Sequence, residues 1–282
     1  MKCRFSRLFR CLPLAPTVRA CALLAALLAP TSPWLSSAAA DERLFTYSQD
    51  ADVLPKGKWE FEQWITHRRG KAGESFSAWD LREEIEYGLL DNLKAAGYLN
   101  FRQTDSSSSS GDSSQFKFRG ISGELKYRLL NPETQPIGVA LYLEPTYMGN
   151  QVELEEKLIL QKNFGDKWVG VFNTTLEQEW KKKSGATAKE MSLEFTTGLA
   201  YRLNSHWSVG LEGRHRKIFD ELGFNHQVGS AWFVGPNVHY GSSKWWATFT
   251  VLPQVSGTPA TNGLDLGEHE KIEFRLLIGW NF

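Results

Sequence analysis

The most constraining feature of this sequence is an alternation of apolar and polar side chains with a period of two. The last segment shows it most clearly, with apolar residues at every second position: Ile272, Phe274, Leu276, Ile278, Trp280 and Phe282. Strict alternation of this kind is typical of a β-strand with one apolar and one polar face. The pattern therefore predicts strands that separate two different environments.

Similar segments recur along the chain, at 58–67, 76–90, 93–102, 116–130, 137–147, 151–162, 167–180, 190–203, 207–217, 231–240 and 245–252. With the last segment they predict about twelve strands, an even number of the kind that bacterial membrane barrels use. Most come near the ten-residue length that a tilted strand needs to cross the hydrocarbon layer. The sequence therefore predicts an all-β fold, a single antiparallel transmembrane up-and-down β-barrel.

The connections carry a second pattern. The links after even-numbered strands are short and turn-like: 90–92, 131–136, 163–166, 204–206 and 241–244. The links after odd-numbered strands are mostly longer: 68–75, 103–115, 181–189, 218–230 and 253–267. Outer-membrane barrels show this asymmetry, with short turns in the periplasm and long loops outside the cell. Because the number of strands is even, both ends of the barrel should lie in the periplasm. We also expect the serine-rich tract Ser106–Ser110 to be a disordered spacer outside the cell.

Aromatic residues cluster beside the short turns. Tryptophans open strands just after a turn and tyrosines close strands just before one: Trp168, Trp207, Trp245, Tyr87, Tyr127, Tyr201 and Tyr240. Trp and Tyr are enriched where an apolar ring body and a polar tip are both satisfied, at the membrane–water interface. Together they predict an aromatic girdle at the periplasmic end of the barrel.

The first forty residues have the features of a secretory signal peptide. Five basic residues precede or flank the short apolar run Ala20–Leu28, and Ala38-Ala39-Ala40 offers a small-residue cleavage site before Asp41. We therefore predict a signal peptide (1–40), a periplasmic N-terminal segment or partial lumen plug (41–57) and a transmembrane barrel (58–282).

Removing the signal peptide changes the charge and the cysteine content. The whole chain has 32 basic and 32 acidic residues, and without the five basic residues of the leader 27 basic residues face 32 acidic ones. This mild acidity argues against a nucleic-acid partner. All three cysteines lie in the leader, so the mature chain has no disulfide scaffold and no thiolate metal site.

The polar faces of the strands are unusually rich in charge. The register that turns apolar residues outward directs these candidate lumen-lining residues inward: Glu60, Glu62, Arg82, Glu84, Glu86, Glu124, Lys126, Arg128, Glu153, Glu155, Lys157, Glu177, Glu194, Arg202, Glu212, Arg214, Glu273 and Arg275. Both signs are present, so one interpretation is an ion-pair network that fills a narrow interior. The other is a small polar pore whose acidic excess favours cations or neutral polar solutes.

Catalytic and metal-binding patterns are weak in this sequence. A barrel-type hydrolase needs a Ser–His pair, oriented by a third polar group, where lipid can reach it. Ser205-His206 lies in a predicted turn, and His215 and His226 lie near one outer loop. No zinc spacing, EF-hand or phosphate-binding glycine loop occurs, so we predict no cofactor, no metal and no enzymatic activity.

The C-terminal segment Leu277-Ile278-Gly279-Trp280-Asn281-Phe282 resembles the assembly signal of outer-membrane proteins, with Ile278, Trp280 and Phe282 as its alternate apolar residues. Three other stretches, 54–60, 86–93 and 125–132, are similar to outer-membrane transporters of the phenol-degradation-associated, MetA-like type and their uncharacterised relatives. The resemblance implies a barrel in a Gram-negative outer membrane, with lipid, lipopolysaccharide and the barrel-assembly machinery as partners.

These observations leave three functions open. We expect first a passive channel or transporter for small polar or cationic solutes, whose substrate is unknown. The alternatives are a barrel enzyme acting on lipid or lipopolysaccharide, and a structural or surface-interaction barrel whose lumen is filled by ion pairs.

Overall fold

The structure, a computed structural model, describes residues 43–72, 74–109 and 111–282, with Glu74 described by its backbone alone. The predicted signal peptide, residues 1–40, lies outside this range. The described residues form twelve strands: β1 (Trp59–Lys71), β2 (Glu74–Leu90), β3 (Leu93–Ser108), β4 (Gly111–Leu130), β5 (Gly138–Tyr147), β6 (Gln151–Phe164), β7 (Trp168–Lys183), β8 (Ala186–Arg202), β9 (Trp207–Phe219), β10 (Gln227–Gly241), β11 (Trp245–Thr258) and β12 (Ile272–Asn281). Among these residues no helix is long and apolar enough to cross a membrane.

Each strand pairs with its sequence neighbours in antiparallel register, and β1 pairs with β12 to close the barrel. The closing ladder runs from Glu60 opposite Asn281 to Arg69 opposite Ile272, and Phe282 donates its backbone N–H to Trp59 O at 3.0 Å. The predicted twelve-stranded up-and-down barrel is confirmed. Both ends of the barrel meet at the rim with the short turns, which we call the periplasmic rim; the opposite one is the outer rim.

The outward face of the barrel is apolar. In β5, for example, Leu141 and Leu143 are exposed whereas the alternating residues Tyr142 and Glu144 are buried. Exposed Leu, Ile, Val and Phe side chains recur on the other strands, a larger apolar surface than a soluble monomer shows. The barrel is therefore a transmembrane one of the outer-membrane type, as the alternation predicts.

An aromatic band surrounds the periplasmic rim. Trp168 lies against Tyr201 with ring centroids 4.8 Å apart, and Tyr240 lies against Trp245 at 4.9 Å. Trp280 is opposite Trp245 across the β11–β12 ladder. These aromatic residues lie beside the short turns, where the sequence predicted an aromatic girdle.

The strands extend further at the outer rim than the alternation predicted. The expected loop at 103–115 is a hairpin in which Ser106 pairs with Ser113 and Ser108 with Gly111. Of the serine tract, residues 106–108 are strand and Ser109 is in the turn, so the prediction of disorder is wrong for these described residues. The segment 181–189 likewise continues β7 and β8. The alternation stops here because both faces of these extensions are polar outside the hydrocarbon layer, while the backbone ladder continues to pair.

Residues 43–54, which we call the plug, run inside the barrel. Three short apolar contacts hold them: Phe45 packs with Val169 and Val171, Tyr47 with Phe233, and Ala51 with Tyr142. Phe45 lies directly on Gly198, where an added Cβ would come within 2.5 Å of its ring. Residues 43–54 therefore contact the inner wall on several strands.

The β11–β12 connection, residues 259–271, folds back onto the barrel at the outer rim. Gln254 accepts the backbone N–H of Asp265 at 2.6 Å and donates to the carbonyl oxygens of Asp265 and Glu270, both at 3.0 Å. Asp265, His269 and Glu270 are buried. Part of this predicted outer loop therefore packs against the barrel instead of projecting from it.

Candidate functional site

Two polar cavities lie on opposite sides of the plug. The outer vestibule has a volume of about 360 Å³ and is lined by Arg43, Thr46, Tyr47 and Gln49 of the plug together with the outer half of the wall. The periplasmic vestibule, about 520 Å³, is lined by Leu44, Asp50, Asp52, Val53 and Pro55 together with the periplasmic turns. The plug is therefore the partition between the two cavities.

The outer vestibule contains charges of both signs, and the two signs lie on different parts of its wall. Its basic residues are Arg43, Arg68, Arg82, Arg102, Arg119, Lys157, Arg214, Arg216 and Arg275. Its acidic residues are Asp80, Glu144, Glu153, Glu155, Glu177, Glu179 and Glu194. Six of the seven acidic residues are on β5–β8, whereas the arginines of the wall are on β1–β4, β9 and β12. This arrangement produces an electric field across the vestibule.

The structure places all eighteen candidate lumen residues on the inner wall. Nine are buried in the described range: Glu60, Glu62, Glu84, Glu86, Glu124, Lys126, Glu212, Arg214 and Glu273. Seven line the outer vestibule without being fully buried: Arg82, Glu153, Glu155, Lys157, Glu177, Glu194 and Arg275. Arg128 and Arg202 line the periplasmic vestibule. Ile278, Trp280 and Phe282 of the assembly signal are on the outer face at the periplasmic rim.

Glu212 is the main anchor of the plug. Its carboxylate accepts the backbone N–H groups of Thr46 and Tyr47, each at 2.8 Å, and that of Ser48 at 3.0 Å. The Thr250 hydroxyl donates to the same carboxylate at 2.6 Å. Consecutive backbone N–H groups that converge on one anion form a strong charge-assisted site.

Amide and hydroxyl side chains of the wall hold the rest of the plug backbone. Asn173 accepts the N–H of Gln49 at 2.6 Å and donates to its carbonyl oxygen at 2.9 Å. Gln161 accepts the N–H of Ala51 at 2.7 Å, and Asn237 donates to Leu44 O at 2.6 Å. Two ion pairs add to this: Lys126 with Asp50 at 3.5 Å and Arg128 with Asp52 at 3.3 Å. The wall thus satisfies the backbone of a segment without regular structure.

A network of ion pairs crosses the outer vestibule. Arg214 donates to Glu194 at 2.7 Å and to Glu273 at 2.8 Å, and Arg68 reaches Glu273 at 3.2 Å. Arg216 pairs with Glu177 at 2.8 Å. Tyr47 of the plug also donates its hydroxyl to Glu273, at 2.9 Å. The network therefore ties β1, β7, β8, β9 and β12 to one another and to the plug.

Sequence reasoning missed several residues of this lumen. Trp64 and Trp246 point inward, as do Tyr98, Tyr142 and Phe233. Trp64 follows Glu60 and Glu62 at the next alternate position of the same strand. The alternation therefore points it inward, and it was missed because inward residues were assumed to be polar. Arg68 and Asp80 continue the same inward rows, and Arg68 donates to Asp80 at 2.7 Å.

One serine–histidine pair is present among the described residues, at a position that the sequence did not indicate. His67 Nε2 lies 2.9 Å from Ser77 Oγ on the outward face of β1 and β2, and the imidazole stacks on Trp79 at 4.0 Å. His206 instead contacts Gly241 O through Nδ1 at 2.8 Å, and His215 stacks on Trp232 at 4.0 Å. The pair therefore lies on the outward face of the barrel, toward the outer rim, where Ser77 is opposite Asp105.

A family model described as "Family of unknown function (DUF6662)" matches residues 37–282. The match spans most of the chain, so the chain belongs to this family. Among curated proteins, no significant match is found.

The barrel is similar to solved outer-membrane structures. An outer-membrane channel of the COG4313 group from Pseudomonas putida F1 has a TM-score of 0.60 at 14% identity, covering 84% of this chain and 100% of that one. The NanC porin has a TM-score of 0.52 at 12% identity, with 79% and 100% covered. The β-domain of the Bordetella autotransporter BrkA has 0.51 at 10% identity, with 80% and 100% covered. At these identities the likeness shows the fold alone.

Proposed function

We propose that this member of the DUF6662 family is an outer-membrane channel for small polar solutes, with the plug as its constriction. The observation that carries the proposal is the pair of polar vestibules on the two sides of residues 43–54. A barrel that served only as a scaffold would gain stability from an apolar filling, because buried charges carry a desolvation cost. The charged wall is explained by passage of polar solutes.

The outer vestibule also bears on the class of solute. Nine basic residues face seven acidic ones there, so the acidic excess of the whole mature chain is not repeated in this cavity. Opposite charges on opposite walls suit small solutes that carry both signs or strong dipoles. We therefore propose small polar or zwitterionic solutes as the preferred class, ahead of simple cations.

The test measures conductance in planar bilayers for a variant in which one larger side chain displaces the plug. Leucine at Gly198 would occupy the position of the Phe45 ring, because even a Cβ there comes within 2.5 Å of it. The matched control is Gly123→Leu, since a Cβ at Gly123 meets no atom of the described residues within 4 Å. We expect small conductance for the wild type and the control, and a several-fold larger one for Gly198→Leu.

The competing function is a structural barrel filled by its ion pairs. If the barrel is only structural, the Gly198→Leu variant should fold and expose residues 43–54 to protease, yet conduct no ions. That combination of results would reject the channel.

A second candidate function, ester hydrolysis on the outward face near the outer rim, is favoured by the Ser77–His67 contact. A nucleophilic serine needs a base within hydrogen-bond reach, and this pair has that geometry. Within the described residues, however, the hydrogen bonds of the His67 ring include no third group that orients it. Release of fatty acid from phospholipid by the wild type, abolished in Ser77→Ala and retained in Ser75→Ala, would establish this activity.

A further inference from the structure

Five glutamates meet inside the barrel near the periplasmic rim. We call Glu60, Glu62, Glu84, Glu86 and Glu124 the acidic cluster. Glu60 is directly opposite Glu86, and Glu62 directly opposite Glu84, across the β1–β2 ladder. All five side chains are buried. Like charges directly opposite each other on one face of a sheet are destabilising, so this register needs compensation.

Four of the five carboxylates are held by hydrogen-bond donors. Trp246 Nε1 donates to Glu60 at 3.0 Å and Trp64 Nε1 to Glu62 at 2.6 Å. The Tyr98 hydroxyl donates to Glu124, and the Lys94 ammonium to Glu86. These donors fix the direction of each carboxylate, as the supporting groups around metal ligands do.

Glu84 differs from the other four. Its side chain is 1% exposed, and neither carboxylate oxygen has a hydrogen-bond donor among the described residues. One oxygen from each of Glu84, Glu86 and Glu124 lies within 4.8 Å of the other two. An ionised carboxylate that is buried without a partner is strongly destabilising. Among the described residues, Glu84 is therefore the one member of the cluster without a directly contacting donor.

The charge balance of the cluster indicates the kind of partner. Arg43 contacts Glu62 at 3.8 Å, and Lys94 contacts Glu86 and Glu124. Arg82 also lies beside the cluster, with its guanidinium over the Trp64 and Tyr98 rings. Three cations then face five carboxylates, an excess of two negative charges. A proton on Glu84 would remove one of them, whereas a divalent cation would remove both and would bind oxygens from two strands at once.

We propose that Glu84, Glu86 and Glu124 bind one divalent cation inside the barrel, with Ca²⁺ as the preferred ion. The ligands are all carboxylate oxygens, which suit hard cations and not Zn²⁺ or Cu²⁺. Ca²⁺ accepts irregular arrangements of oxygen ligands, whereas Mg²⁺ requires a near-ideal octahedron. The ion would join β2 and β4 across the intervening β3, near the plug residue Arg43. No sequence motif indicates such a site, because Glu124 is on β4 whereas Glu84 and Glu86 are on β2.

The first experiment measures metal in the mature chain refolded from urea into detergent, so that no lipopolysaccharide carries ions into the sample. After incubation with CaCl₂ and removal of free ion, we expect about one Ca²⁺ per barrel by elemental analysis. The heat-modified band shift should then occur at a higher temperature with CaCl₂ than with EDTA. Tb³⁺ in place of Ca²⁺ should give emission sensitised by the Trp64 and Tyr98 rings that border the cluster.

The variants are Glu84→Gln and, as matched control, Glu155→Gln in the outer vestibule. Glu84→Gln should lose the bound Ca²⁺, the terbium emission and the calcium-dependent rise in unfolding temperature, whereas Glu155→Gln should keep all three. If Glu84→Gln does not fold, the wild-type stoichiometry and terbium emission still decide the matter. A wild type that retains no Ca²⁺ and is equally stable in EDTA would overturn the proposal and leave a proton as the partner of Glu84. Equal Ca²⁺ in the wild type and in a folded Glu84→Gln variant would also overturn it.

Discussion

The Glu212 carboxylate accepts the backbone N–H of Tyr47 at 2.8 Å, although 165 residues separate the two along the chain. The same carboxylate accepts the neighbouring N–H groups of Thr46 and Ser48. A single wall residue therefore positions the central turn of the plug between the two vestibules. Glu212 is also fully buried, so its charge depends on those N–H groups for the solvation that water would otherwise supply.

We expect Glu212→Gln to loosen the plug without preventing barrel formation. The amide removes the negative charge and directs an N–H₂ group toward backbone donors, so a loss of about 1.5–3 kcal/mol of stability follows from the weakened hydrogen bonds. Hydrogen exchange of the Thr46, Tyr47 and Ser48 amides should accelerate strongly. Glu177→Gln, which removes a lumen charge that pairs with Arg216, is the control and should leave those three amides protected. Unchanged protection in Glu212→Gln would show that the apolar contacts of Phe45 hold the plug.

The ion-pair network predicts a large difference between two arginine variants. Arg214 has 5% of its side chain exposed and contacts the buried Glu273 and the half-buried Glu194, so Arg214→Ala removes a cation from both carboxylates. We expect a cost of about 3–5 kcal/mol, seen as a lower temperature for the heat-modified band shift. Arg102, whose side chain is 41% exposed, contacts Asp80, and Arg102→Ala should cost less than about 1 kcal/mol. Similar effects of the two substitutions would contradict a buried ion-pair network centred on Arg214.

Epitope insertion tests the orientation in the membrane. Tags after Ser184 or Asn262 should be labelled on intact cells, because both positions are exposed at the outer rim. Tags at 133–135 or 204–206 should be labelled after permeabilisation alone. A tag within 265–270 should instead reduce the amount of folded barrel, since Asp265, His269 and Glu270 are buried against the wall. Labelling of intact cells at 133–135 would invert the orientation.

The C-terminal residue is expected to matter for assembly more than for the stability of the finished barrel. Phe282 is 74% exposed, so its side chain packs little against the protein, yet its N–H donates to Trp59 O at the closing β1–β12 ladder. Phe282→Asp or deletion of Phe282 should leave aggregated or degraded chain in the periplasm. Leu203→Asp, which changes another exposed residue at the same rim, serves as the control and should be assembled normally. Normal outer-membrane yield of both Phe282 variants would remove the assembly role.

The sequence by itself determined the barrel. A period of two requires each strand to separate an apolar from a polar environment, and this local rule identified twelve strands and turned all eighteen candidate residues inward. The same rule failed outside the hydrocarbon layer, where no lipid selects an apolar face. Beyond the hydrocarbon layer both faces of a strand are polar, so the hairpin that contains Ser106 was assigned to a loop. Trp64 was overlooked because an aromatic side chain can face either the lipid or a lumen.

Only the tertiary structure decided which of these charges meet. Arg214 and Glu273 lie 59 residues apart, and Thr46 and Glu212 lie 166 apart, so neither contact follows from the register of one hairpin. They arise because closure of twelve strands fixes the stagger around the wall and because the plug then crosses the lumen. The unpartnered carboxylate of Glu84 is a product of the same closure, since the alternation that places it inward does not determine the charges of its neighbours.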